Sequence, residues 1–115
     1  MPPSQDPARR AVVTGLGAVM PTGNDFETYW RNLQGGVSGV ATITRFDPGD
    51  LEVKIAAEVK DFRASDHMDA KMARRMGRFT HLALAATREA LASAGIDPAA
   101  LSPDQRDRVG VVINT

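Results

Sequence analysis

The apolar positions of the chain fall into strand-like and helix-like runs. Ala11-Val12-Val13-Thr14-Gly15-Leu16-Gly17 is a short β-branched run closed by glycines, the pattern of a strand buried on both faces in a parallel sheet. Val109-Gly110-Val111-Val112-Ile113, introduced by Arg108, repeats it near the other end. These two segments are expected to lie parallel in one sheet, linked by a right-handed crossover. Between them Phe26, Trp30 and Leu33 recur at i, i+4 and i+7 and predict a helix, with Asn24 and Glu27 as its capping box and Gly35-Gly36 as its stop. A longer helical progression runs through Met72, Met76, Phe79, Ala83, Ala86, Ala90 and Ala94. It predicts a helix from about Asp66 or Asp69 to Ala94, with a weak point at Gly77 and a Schellman stop at Gly95-Ile96. Its alanine-lined C-terminal half suits close approach to a neighbouring element.

The remaining segments are shorter. Ala18 to Gly23, with Pro21 and Gly23, reads as a loop, and Gly35 to Asp50 as irregular chain with a short extended piece near Ile43. Glu52 to Val59 alternates well enough for a peripheral strand. Asp97-Pro98 and Ser102-Pro103 each set a capping residue before a proline, so one or two single-turn helices are expected between 97 and 107. Residues 1–8 hold three prolines and no periodicity and are expected to be a mobile tail, with order beginning at Arg9.

Composition narrows the classes of function. At 115 residues, 43% apolar and 24% charged, the chain is globular in character rather than disordered or collagenous. Fourteen basic residues balance fourteen acidic ones, so no overall field draws it to nucleic acid or acidic lipid, and neither nucleic-acid binding nor membrane insertion is expected. The absence of cysteine removes disulfides, cysteine-ligated metals and thiol nucleophiles from what these residues can supply. With no signal-like start and no apolar run long enough to span a bilayer, the expected compartment is the cytoplasm.

Most candidate chemistry dissolves on inspection. Gly15 and Gly17 follow a predicted strand, as in dinucleotide-binding loops, but Met20 stands where the third glycine of that motif belongs, and Ala18 and Val19 exclude the short-chain dehydrogenase variant. Those glycines read better as a tight turn that permits close packing. His67 and His81 have no carboxylate at ligand spacing, so no metal and no cofactor is assigned. Asp66 and Asp69 read as helix-start residues rather than a catalytic pair. Neither a G-x-S-x-G elbow nor a phosphate-binding loop is present. One local charge feature stands out: Lys71, Arg74, Arg75 and Arg78 form a basic stripe on helical spacing beside Met72, Met76 and Phe79. It is either a solvated face or a docking surface for an acidic partner.

Several segments together carry a family resemblance. Ala11 to Gly17, Pro21-Thr22-Gly23-Asn24, the helix with Trp30, Leu33 to Val40, Arg45-Phe46-Asp47, Ile55 to Phe62, Lys71 to Phe79, Ala92 to Gly95 and Val109 to Ile113 resemble, in order and spacing, the opening of elongating type II (FabF-like) β-ketoacyl-[acyl-carrier-protein] synthases. The resemblance covers nearly everything from Arg9 to Thr115. It implies an α/β, thiolase-like fold, layered α-β-α-β-α in the complete protein, of which residues 9–115 are the incomplete front of the N-terminal domain. It also implies a homodimer and decarboxylative Claisen condensation with acyl- and malonyl-acyl carrier protein as partners. The family's Cys-His-His machinery lies beyond residue 115, so no catalytic residue is assigned and the 115 residues alone are expected to be inactive. Lys71, Arg74 and Arg75 align with cations that dock the acidic carrier protein in such synthases, and Arg78 has no such counterpart.

Alternatives stay open at this point. A polyketide ketosynthase or chain-length factor shares this region; a nucleotide-binding oxidoreductase fragment and a non-catalytic carrier-protein-binding module fit it less well. Two buried-type strands and one alanine-lined helix are also too little to cover each other's faces, so these residues read as the front of a larger fold.

Overall fold

A computed structural model describes residues 10–114. The element order is α1 (Phe26–Gln34), β1 (Val40–Thr42), β2 (Ile55–Ala57), α2 (Ala70–Ala73), α3 (Arg78–Ser93) and α4 (Pro103–Arg106), with a 3-10 turn at Ala64–Asp66 before α2. The expected tail, residues 1–8, lies outside the described residues.

Helix α1 begins one residue later than the capping box predicts. Asp25, with extended backbone, is its N-cap and accepts from the Thr28 N–H, which satisfies one of the free donors of the first turn. The Asn24 amide is used elsewhere, donating to the Lys60 carbonyl at 2.8 Å. The helix stops at Gly35, as its glycine pair predicts. Its apolar face lacks a full partner: Trp30 and Leu33 stay about half exposed.

β1 and β2 pair antiparallel in the register Val40 to Ala57, Ala41 to Ala56 and Thr42 to Ile55. The ladder extends one bond further through the Ile43 N–H and the Lys54 carbonyl, so the extended piece near Ile43 and the peripheral strand pattern after Glu52 are two halves of one small sheet. Beyond the ladder the Glu58 carboxylate takes over, accepting from the Thr44 N–H, the Thr44 hydroxyl and the Arg45 N–H.

The long helical progression is divided. Asp69 caps α2 by accepting from the Lys71 and Met72 N–H groups, and extended backbone at Gly77 separates α2 from α3. Asp69 therefore is a helix-start residue, and Gly77 is the break its position in the pattern suggests. α3 ends in a Schellman motif: the Ile96 N–H bonds the Leu91 carbonyl, the Gly95 N–H bonds the Ala92 carbonyl, and Gly95 takes φ +69°. Of the two single-turn helices only α4 forms, closed by a reciprocal capping box between Ser102 and Gln105. Asp97 instead makes a turn, its carboxylate accepting from the Ala99 N–H.

The expected pair of buried parallel strands is corrected. Neither Ala11–Gly17 nor Val109–Ile113 is a strand; β1 and β2 form the one sheet among the described residues. Val12 is 76% exposed and Val112 98%. A parallel strand needs backbone partners and a covering layer on each face, and here the first run packs against α3 without joining a sheet. It lies close: a Cβ on Gly15 would stand 2.8 Å from the Ala94 Cβ, and one on Gly17 would collide with the Ala86 carbonyl. The glycines thus serve close packing against the alanine line of α3. Among the described residues only Ala18, Met68 and Ala85 are buried apolar residues, and the radius of gyration is 18.1 Å. A compact domain of this length would have about 13 Å, so the elements spread over an incomplete core.

Candidate functional site

The basic residues sit on α2 and the turn after it. The Asp69 cap starts the helix, the Arg74 N–H still bonds back to Ala70, and then the chain tightens to i, i+3 bonding, Arg75 to Met72 and Met76 to Ala73. Lys71, Arg74 and Arg75 are all exposed on this short turn, while Met72 and Met76 are half-buried beneath it and Phe79 is 69% exposed nearby in sequence. Cations with an apolar margin suit an acidic protein partner: the charges steer the encounter and the apolar atoms make contact.

Arg78 departs from the stripe. Because Gly77 breaks the helix, Arg78 opens α3 rather than continuing the face of Lys71, Arg74 and Arg75. Its guanidinium donates to the Val59 carbonyl at 2.9 Å and lies 5.6 Å over the Phe62 ring. It ties α3 to the exit of β2. Phe62 in turn stacks on His67, with ring centroids 4.9 Å apart and planes within 4°. His81, on the first turn of α3, places Nε2 2.8 Å from the Ala73 carbonyl. Both histidines therefore have packing partners, and no group of three or more metal-ligating side chains occurs among the described residues.

Sequence reasoning missed Glu89. From the middle of α3 its two carboxylate oxygens accept from the Ala18 N–H at 2.8 Å and the Phe26 N–H at 2.7 Å. It thereby joins the glycine-bearing segment, the start of α1 and α3. The one available signal is a carboxylate set against the alanine line, three residues after Ala86. Two other carboxyls are held below their ordinary values. Hydrogen bonds from Thr28 stabilise the charged form of Asp25, and bonds from Thr44 do the same for Glu58.

The family of the β-ketoacyl synthase N-terminal domain matches residues 8–115. The chain belongs to that family. As a ketoacyl-synthase chain it is 45% identical over 107 residues to 3-oxoacyl-[acyl-carrier-protein] synthase 2 of Staphylococcus aureus (strain COL), covering 93% of this chain and 25% of that protein. The synthase of the same name from Synechocystis sp. (strain ATCC 27184 / PCC 6803 / Kazusa) is 43% identical over 107 residues, with the same coverage. The chain thus spans about a quarter of the length of these relatives. Among solved structures, the ishigamide ketosynthase/chain length factor superposes with a TM-score of 0.67 at 35% identity, over 78% of this chain and 22% of that one. This likeness places the α/β arrangement in the thiolase-like, ketosynthase type of fold, although only part of its layering is present in these residues. No helix among the described residues is long and apolar enough to cross a membrane.

Proposed function

We propose that these residues are the N-terminal portion of a condensing enzyme of fatty-acid elongation, a 3-oxoacyl-[acyl-carrier-protein] synthase, and that Lys71, Arg74 and Arg75 form part of its carrier-protein docking surface. The observation that carries the reading is the 45% identity to a protein of that name across 93% of the chain. The exposed, capped basic turn supplies the local physical support.

In the complete enzyme a cysteine thiolate attacks the acyl-carrier-protein thioester and expels the carrier thiol. Malonyl-carrier protein then loses CO₂, and the carbanion so formed attacks the acyl-enzyme, making the new C–C bond and releasing the thiolate. The 115 residues contain no cysteine, so they contribute scaffold and docking rather than the nucleophile. The complete protein has the layered α-β-α-β-α architecture, which supplies the sheet partners that Ala11–Gly17 and Val109–Ile113 lack here, and it works as a homodimer in the cytoplasm.

The test is incubation of the full-length protein with an acyl-carrier protein and malonyl-carrier protein, with products read by mass spectrometry. A 3-oxoacyl-carrier protein two carbons longer supports the reading, and no condensation product overturns it. A second reading, a polyketide ketosynthase or chain-length factor, draws on the solved structure of that description at 35% identity. Repeated condensation to a poly-3-oxo chain without intervening reduction would favour it.

A further inference from the structure

The docking turn needs something to hold it. It is a four-residue helix followed by a tight turn, and α3 begins after it at Gly77 with no side-chain cap. A short isolated helix has little stability of its own, so tertiary contacts set where Lys71, Arg74 and Arg75 stand. Asp69 fixes the start of the turn. At its end the Ala73 carbonyl, directly before Arg74 and Arg75, receives a long bond of 3.3 Å from the Met76 N–H and a shorter contact of 2.8 Å with His81 Nε2. A carbonyl oxygen only accepts, so Nε2 carries the proton in this contact. His81 itself is half-buried and belongs to α3, the helix that Glu89 ties to the Ala18 and Phe26 backbone.

We propose that His81 is a positioning residue for carrier-protein docking: its Nε2–H bond to the Ala73 carbonyl locks the basic turn onto α3, so that Lys71, Arg74 and Arg75 meet the acidic partner as one preorganised cluster. The proposal rests on the docking role assigned to those cations. His81 touches neither the partner nor the reacting atoms. Its contribution is to remove the ordering that the turn would otherwise undergo on binding.

Two polar replacements separate this role from general packing. The side-chain amide nitrogen of glutamine reaches the position of Nε2, whereas that of asparagine reaches only the position of Nδ1. In the full-length enzyme, His81→Asn is expected to raise KM for carrier-protein substrates by roughly two- to tenfold, the range that one hydrogen bond supports. KM for acyl-CoA surrogates should stay unchanged, and His81→Gln should restore the carrier-protein KM. An unchanged carrier-protein KM in His81→Asn, a parallel rise for acyl-CoA, or failure of His81→Gln to rescue overturns the proposal. Combined Lys71→Ala, Arg74→Ala and Arg75→Ala separates the positioning role from the docking role. If that variant raises the carrier-protein KM and His81→Asn does not, only the positioning role falls; if the triple change has no effect, the docking role falls and the positioning role with it. Should His81→Asn fail to fold, ¹⁵N-histidine NMR of the wild-type enzyme decides. A protonated Nε2 at pH 8, assigned with His81→Gln, is the expected result, and an unprotonated Nε2 overturns the proposal.

Discussion

The Glu89 carboxylate accepts from the Phe26 N–H at 2.7 Å, so a side chain from the middle of α3 closes the first turn of α1. Phe26 is the first residue of α1, where backbone donors have no intrahelical partner and the helix dipole favours negative charge. The second Glu89 oxygen holds the Ala18 N–H at 2.8 Å. One side chain thus fixes three segments that hydrophobic burial secures poorly.

Replacing that group should therefore cost more than its partial exposure suggests. Glu89→Gln turns one acceptor into an amide donor facing another N–H, and is expected to destabilise the full-length protein by about 2 kcal/mol in urea denaturation. Glu27→Gln, on the exposed side of the same first turn, should cost less than about 1 kcal/mol. Equal costs would show that the Glu89 bridge carries no particular weight.

Close approach between the first apolar run and α3 makes a second prediction. Gly17→Ala puts a methyl group into the Ala86 carbonyl and should destabilise by roughly 1–3 kcal/mol. Gly35→Ala, at the φ −77° C-cap of α1, meets nothing nearer than the Arg31 carbonyl oxygen at 3.4 Å, and a change within about 0.5 kcal/mol is expected there. The two melting curves of the full-length variants decide the matter.

These predictions mark what was legible in the chain. Local signals are legible because the Gly95-Ile96 stop, the break at Gly77, the Ser102 cap and the Asp69 start all depend on bonds within a few residues. The N-cap is Asp25, which takes the Thr28 N–H, while the Asn24 amide bonds the Lys60 carbonyl 36 residues away, a contact that periodicity does not report. Glu89 escaped notice for the same reason, since its partners lie 71 and 63 residues upstream. The valine-rich runs show the complementary limit. Their pattern states that both faces require burial, but it does not state that the covering layers come from the same 115 residues. Within the proposed docking surface, the types and spacing of Lys71, Arg74 and Arg75 are visible in the sequence, whereas the diversion of Arg78 to Val59 and Phe62 required the three-dimensional arrangement.

Acid should loosen the two carboxylate-held corners. Asp25 and Glu58 are both held below their ordinary values by hydrogen bonds to their charged forms. Each therefore contributes stability that is present above its ordinary value, 3.8 for Asp25 and 4.5 for Glu58, and is lost as pH falls through the lower folded value. Stability of the full-length protein should decline as pH drops below about 4.5, and Glu58→Gln should make that decline shallower. An unchanged acid profile in Glu58→Gln would show that its bonds to Thr44 and Arg45 do not matter in solution.

Arg78 is expected to behave differently from its basic neighbours. Arg78→Ala removes the Val59 bond and the contact with the Phe62 ring and should lower stability by about 1–2 kcal/mol. Lys71→Ala, on the exposed turn, should stay within about 0.5 kcal/mol of wild type. Thermal melts compared with carrier-protein binding at low salt separate a structural arginine from a docking cation.

The central claim, that Lys71, Arg74 and Arg75 steer carrier-protein docking, is tested most directly by the association rate of acyl carrier protein with the full-length enzyme across a range of ionic strengths. The wild-type rate should fall steeply with salt, and the combined Lys71→Ala, Arg74→Ala and Arg75→Ala variant should associate more slowly at low salt with a flatter dependence. Its KM should rise for carrier-protein substrates and not for acyl-CoA surrogates. Superimposable salt curves for wild type and variant, or an equal rise in KM for both substrate classes, would contradict the claim.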